Sequence, residues 1–181
     1  NSFKLPIKII RPFNIYGPRQ SSRAVIPSVI IQALNNKKEI KLGNIKPTRD
    51  FTYVSDTCNA FLDILKAKNI FGKVLNVGSN NEYSIGDISK KILIKLNSKA
   101  IIKKEEKRTR TKRSEVVRLV CNNKSFLKHT KWKPKIKLDE GLEKKISWFK
   151  DEISAFNRKF TVRKSAIVLK WASINFSASS T

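Results

Sequence analysis

Cysteine is scarce in this chain. Cys58 and Cys121 stand alone, without a C-x-x-C spacing, which argues against a disulfide framework and against a cysteine-rich zinc site. Both sit among apolar residues, so both read as small core fillers rather than nucleophiles, and a reducing cytoplasm is the matching compartment. Long apolar runs are missing too. Nothing approaches the ~18 residues of a membrane span, and the first residues carry no signal-peptide apolar region. Acidic residues are few: 14 Asp and Glu against 39 Lys and Arg give a formal net charge of +25. Such a balance raises the question of a polyanion partner, because clustered cations release counterions from phosphate backbones. The lysines are spread along the whole length, which is the pattern of solvated faces rather than of one binding patch. The single histidine, His129, has no partner nearby and reads as a surface residue, and Asp63, Asp87 and Glu115 form no carboxylate dyad.

What is present suffices for one medium domain, or one domain plus a tail: 181 residues, 40 % of them apolar. A β-rich run at Ile7, Ile9 and Ile10 reads as a buried strand ending at Arg11-Pro12. The Gly-, Pro-, Ser- and Arg-rich stretch 14–23 is a loop, and 24–34 reads as a helix with Pro27 tolerated in its first turn. Strands are expected over 39–42, 50–54, 73–77, 100–102 and 116–120, with a turn over 43–49. A helix capped by Ser55 or Asp56 is expected to bury Ala60, Phe61, Ile64 and Leu65. Ser84 followed by Asp87 forms a capping box ahead of the stripe Ile85, Ile88, Ile92, Leu96. Leu138, Leu142, Ile146, Phe149 and Ile153 lie on one face of a last helix. Strands alternating with helices predict an α/β or mixed α+β fold. The pattern fades after about Asp151, and no internal repeat is present.

Four blocks carry chemistry: Arg11-Pro12-Phe13-Asn14-Ile15-Tyr16-Gly17-Pro18; Thr48-Arg49-Asp50-Phe51-Thr52-Tyr53-Val54-Ser55-Asp56; Leu75-Asn76-Val77-Gly78-Ser79; and Arg113-Ser114-Glu115-Val116 with Trp132-Lys133-Pro134, Leu138, Gly141-Leu142 and Trp148-Phe149. Their types and order resemble those of the NAD-dependent epimerase/dehydratase family, the extended short-chain dehydrogenase/reductases that act on nucleotide sugars. With the stretch 19–27 and R-S-E-V-x-R-L, the resemblance is greatest to 4,6-dehydratases acting on nucleotide-linked N-acetylglucosamine in nonulosonic (legionaminic-type) acid synthesis.

The resemblance implies that 1–18 ends an NAD-binding Rossmann fold, that 19–150 is a smaller substrate-binding region, and that 151–181 is unassigned. It implies a nucleoside diphosphate sugar as substrate, NAD as cofactor and a homodimer as the usual assembly. Arg49, Arg110 and Arg23 are the implied diphosphate ligands, since guanidinium groups match phosphate oxygens in pairs. Thr111 stands where the family has Pro beside the second of these arginines. Asn14 is the implied contact to sugar or phosphate, with both a carbonyl and an amide to offer. Asn76 and Gly78 would shape the nucleotide pocket, and Phe13 and Asn14 would border the cofactor. Each has a plainer alternative: Arg49 as a salt-bridge partner of Asp50 or Asp56, Arg23 and Arg110 as solvated cations, Asn14 as a turn cap. Tyr16, Trp132, Trp148 and Phe149 read as packing residues.

Family chemistry oxidises the sugar at C4 with NAD, eliminates water across C5 and C6, and returns the hydride. It uses a Gly-rich G-x-x-G-x-x-G turn and a Y-x-x-x-K pair lying before the R-P-F-N string. These 181 residues contain neither at that place, so the resemblance implies a carboxyl-terminal part that is inactive alone. A nucleotide-sugar 4-epimerase of the same family, a basic nucleic-acid-binding module, and a truncated product with a bare strand edge are the competing readings.

Overall fold

The computed structural model describes residues 5–106 and 115–152. The chain divides into two compact units, Asn1–Ile146 and Ser147–Thr181. The first unit begins with β1 (Ile9–Pro12) and β2 (Ile15–Tyr16), then α1 (Val25–Leu34), β3 (Glu39–Leu42), β4 (Thr48–Arg49), β5 (Thr52–Tyr53) and α2 (Val54–Lys66). It continues through β6 (Val74–Val77), β7 (Tyr83–Ser84), α3 (Ile85–Lys95), β8 (Ile101–Lys104), β9 (Arg118–Leu119) and α4 (Lys124–His129). A last helix, α5, runs over 138–152, and its residues up to Ile146 belong to this unit. Of the second unit, 147–152 are described; they are helical, and Trp148 and Phe149 meet edge to face at 4.8 Å. Among the described residues no helix is long and apolar enough to cross a membrane.

Parallel pairing dominates. β1 pairs with β6, β2 with β5, and β3 with β8, all parallel; β4 runs parallel to β9 and antiparallel to β7. Parallel neighbours need long crossovers, and the helices supply them. In β6, Leu75 and Val77 turn inward onto Ala60 and Ile64 of α2 and onto Phe126 and Trp132, with Ile10 of β1 packed against the same cluster. The alternate positions Ile9 and Val74, paired in register, remain 40 % and 43 % exposed. The expectation of a fully buried first strand is therefore corrected: among the described residues one face of the β1–β6 pair is covered and the other is open.

Local signals account for the helices. In α1 the buried positions Ile26, Val29, Ile30 and Ala33 follow the i, i+3, i+4, i+7 spacing of a single face, and α1 contacts β3 and α3. In α3, Ser84 Oγ accepts from the Asp87 N–H at 2.9 Å and donates to the Asp87 carboxylate at 2.7 Å, while Ile88 and Ile92 are fully buried. Ser84→Ala is expected to cost ~1 kcal/mol, read as a lowered urea midpoint with an unchanged slope.

Three expectations need correction in α2. The helix starts at Val54 with Tyr53 as its cap residue, so Asp56 sits inside the first turn. Its buried face is Asp56, Thr57, Ala60 and Ile64, which leaves Phe61 and Leu65 in solvent at 46 % and 70 % exposure. Cys58 is exposed as well, whereas Cys121 is the core filler expected of both. The helix closes on Lys8, whose Nζ donates to the carbonyls of Ile64, Leu65 and Ala67 at 3.1, 2.7 and 2.8 Å, a cation where the helix dipole is negative.

Candidate functional site

The loop after β1 is the first wall of the site. Tyr16 is buried within it, stacked edge to face on Phe51 and Tyr53, and its hydroxyl donates to the Leu138 carbonyl at 3.4 Å. Burial pushes the Tyr16 phenol well above its ordinary value, in keeping with a packing role rather than that of an acid or base. Gly17 lies against Val54: a Cβ there would stand 2.5 Å from Val54 Cγ1. Gly141 on α5 is needed for the same reason, since a Cβ would fall 2.1 Å from the Tyr16 oxygen.

The second and third walls are α1 and the strand β4 with its neighbours. Together these elements border an open cavity of about 900 Å³, within the range of small-molecule sites. Asn14, Arg23 and Arg49 all line it, with Gln20, Gln32, Asn44 and Glu115 as further polar groups. Asn14 donates from Nδ2 to the Asp50 carbonyl at 2.9 Å, which fixes the amide's orientation. Arg49 is half-buried and donates to its neighbour's carbonyl, Thr48 O, at 2.7 Å. Arg23 is exposed at the rim of the loop. Glu115 accepts from Asn44 Nδ2 at 2.9 Å, and Gln32 accepts from the Lys41 amide at 2.9 Å, which locks both side chains in the wall.

The other expected residues are placed differently. Asn76 sits on β6 in register with Arg11 and does not line this cavity; its buried Oδ1 has no hydrogen-bond partner. Phe13 follows β1, donates from its amide to Val77 O at 2.8 Å, and is also not among the lining residues. Arg110 lies outside the described residues.

Sequence reasoning missed the group that holds the site together. Asp50 is completely buried, and its carboxylate accepts from the Ser79 amide (2.9 Å), the Ser79 hydroxyl (2.6 Å), the Asn80 amide (2.8 Å) and the Cys121 amide (3.2 Å). Gly78 lets these segments approach: a Cβ there would meet Cys121 Cβ at 2.3 Å and the Asp50 carboxylate at 2.8 Å. Burial next to Asp50 pushes the Cys121 thiol up to about 12, so it stays an unreactive thiol. Asp56 plays a parallel part, accepting from the Lys135 and Ile136 amides at 3.0 and 2.9 Å, while its carbonyl takes the Trp132 indole N–H at 2.8 Å. Both carboxylates of the Asp50–Asp56 block are thus committed to backbone amides.

Against this geometry the comparisons with known proteins are specific. A family model described as GDP-mannose 4,6 dehydratase matches residues 1–145. The chain belongs to the NAD-dependent epimerase/dehydratase family. It is 46 % identical over 92 residues to a dTDP-D-glucose 4,6-dehydratase of Dictyostelium discoideum, covering 51 % of this chain and 21 % of that one. Its identity to the dTDP-D-glucose 4,6-dehydratase of Homo sapiens is 32 % over 152 residues, covering 82 % of this chain and 43 % of the relative. Among solved structures, UDP-glucuronic acid 4-epimerase from Bacillus cereus, in complex with UDP-glucuronic acid and NAD, superposes with a TM-score of 0.74 at 28 % identity, over 82 % of this chain and 46 % of that one. The chain thus spans less than half the length of these family members. The expected fold class holds: a mixed α/β fold with parallel sheets, as in the Rossmann-fold epimerases and dehydratases.

One cation lies behind the 14–23 loop, outside the cavity lining. Lys145 of α5 is fully buried, and burial lowers its ammonium to about 8 from 10.5. The fold therefore disfavours the charged form, so between pH 8 and 10.5 the unfolded chain binds more protons and stability from this group rises with pH. Raising the pH through that window is expected to stabilise the protein relative to a Lys145→Met variant, by on the order of 2 kcal/mol. Paired urea titrations at pH 7.5 and 10 check this; a constant difference between the two proteins would refute it.

Proposed function

We propose that the chain forms the nucleotide-sugar-binding part of an NAD-dependent 4,6-dehydratase, with the 900 Å³ cavity as the site of the nucleoside diphosphate sugar. The observation that supports this reading is the convergence on that one cavity of Asn14 and Arg23 from the 14–23 loop and of Arg49 from β4. Arg49 and Arg23 offer guanidinium groups to a diphosphate, and Asn14, held by Asp50 O, offers its amide oxygen to a hydroxyl. Dehydration is favoured over 4-epimerisation by the family model's description and by the names of the two relatives above, although epimerases occur among the relatives too.

For NAD, the described residues fit one side of a site. Phe13 and Asn14 leave the carboxyl end of β1, where open parallel sheets receive ligands, and Asn76 Oδ1 is a buried acceptor without a donor. When bound, NAD supplies a hydride acceptor and donor; these residues would border it. The G-x-x-G-x-x-G and Y-x-x-x-K elements are not in the 181 residues, so this polypeptide is expected to bind nucleotide sugar without turning it over.

Isothermal titration with dTDP-glucose and UDP-N-acetylglucosamine, alongside single-stranded RNA, tests the reading. Saturable binding of a nucleotide sugar with no NADH formed or consumed is the expected result. Binding of RNA alone, weakening steeply with salt, would overturn it in favour of a nucleic-acid module.

A further inference from the structure

Residues 14–23 supply four polar groups to the cavity, Asn14, Gln20, Ser22 and Arg23, and yet form no regular element beyond the two residues of β2. Such a loop needs to be held from outside. On α5, Leu138, Gly141 and Lys145 recur at i, i+3 and i+7 and so share one face. Each meets the loop: Leu138 through its carbonyl on Tyr16, Gly141 through close approach to the Tyr16 ring, and Lys145 through its ammonium. Lys145 Nζ donates to Gly17 O and to Gln20 Oε1, both at 2.6 Å. Gln20 in turn donates from Nε2 to Ile15 O at 2.9 Å. The Gln20 amide is thereby fixed at both ends, with its oxygen on α5 and its nitrogen on β2, while it lines the cavity.

We infer that Lys145 is a positioning residue of the binding site: acting through Gln20, it sets the conformation in which the 14–23 loop presents its polar groups to the ligand. The inference rests on the nucleotide-sugar reading for its ligand, but the tether itself does not. Burying an ammonium is costly in a protein interior, and an apolar side chain at 145 would continue the stripe of Leu138, Leu142 and Ile146. A lysine on the buried face therefore needs a local use. Two short charge-assisted bonds to one loop supply it.

The test pairs a ligand-independent reading with a binding cycle on the full chain. Lys145→Met keeps the aliphatic stem and removes the donors. Hydrogen exchange of amides 15–23 is expected to quicken in this variant, with α3 unchanged; equal exchange in that loop would overturn the tether. Titration with dTDP-glucose is then expected to show about tenfold weaker binding for Lys145→Met and for Gln20→Leu, with the double variant no weaker than the worse single one. Independent, additive losses would show that Lys145 does not act through Gln20. If wild-type protein binds no nucleotide sugar, the proposed function fails while the exchange result still decides the tether. Should Lys145→Met not fold, Gln20→Leu carries the exchange arm alone, because it cuts the same link from the loop side.

Discussion

Asp50→Ala is expected to destabilise the protein by about 3–5 kcal/mol, because several buried donors lose their acceptor at once. The substitution would leave three backbone amides and the Ser79 hydroxyl without their acceptor. An unpaired buried donor costs ~1–3 kcal/mol, partly relieved where water enters the space. Set against the ~5–15 kcal/mol of a typical domain, this is enough to bring the chain close to unfolding. Asp50→Asn offers little relief, because its NH2 group would turn toward donors that need an acceptor. Equilibrium urea unfolding checks both variants, and a loss under ~1 kcal/mol in each would refute the role. Ser79→Ala, which removes one of the four donors, is the internal control and should cost far less.

The reason Asp50 matters so much is where its bonds lead. Its carbonyl holds Asn14 from the first block, its carboxylate holds Ser79 and Asn80 at the third, and its amide donates to Leu119, next to which Cys121 closes the carboxylate's shell. The second and third blocks are neighbours in space because this buried carboxylate joins them, and the Asp50 carbonyl draws in Asn14 of the first. Nothing in the local pattern at Asp50 announces this, since its partners lie up to 71 positions away. A stretch reading Asp-Phe-Thr-Tyr-Val looks like a strand, and only Thr52–Tyr53 is one.

The capping box at Ser84 and the apolar stripes of α1 and α3 are short-range signals, set by helix geometry alone. The strands at 39–42 and 73–77 announced themselves by β-branched content and bounding turns, and the structure places β3 and β6 there. The two-residue strands β2 and β7 did not, because their pairing depends on partners remote in sequence. In α2 the error was a matter of phase: with three contiguous apolar residues at 60–62, periodicity alone cannot choose the buried face. Lys145 was readable in principle. Its spacing of seven from Leu138 puts it on the apolar face of α5, and a lysine on such a face is a signal in its own right.

Arg49→Ala is expected to weaken binding of a nucleoside diphosphate sugar about a hundredfold, the scale of a lost charge-assisted contact in a partly desolvated site. Arg49 lies in the middle strand of the β7-β4-β9 sheet and lines the cavity. Its placement there is secured by the strand on both sides, with Thr48 paired to Ser84 and to Arg118, so truncation beyond Cβ leaves the backbone in place. Stability should therefore change little while affinity falls. Arg49→Lys keeps one positive charge but loses the planar fork that meets two phosphate oxygens together, so it should recover only part of the loss. The decisive comparison is between dTDP-glucose, dTDP and thymidine, titrated into wild type and variant under one buffer. A guanidinium acting on the diphosphate lowers affinity for the first two and spares the third. An equal loss for all three would instead make Arg49 a wall of the base pocket, and the diphosphate would have to be held by other cations.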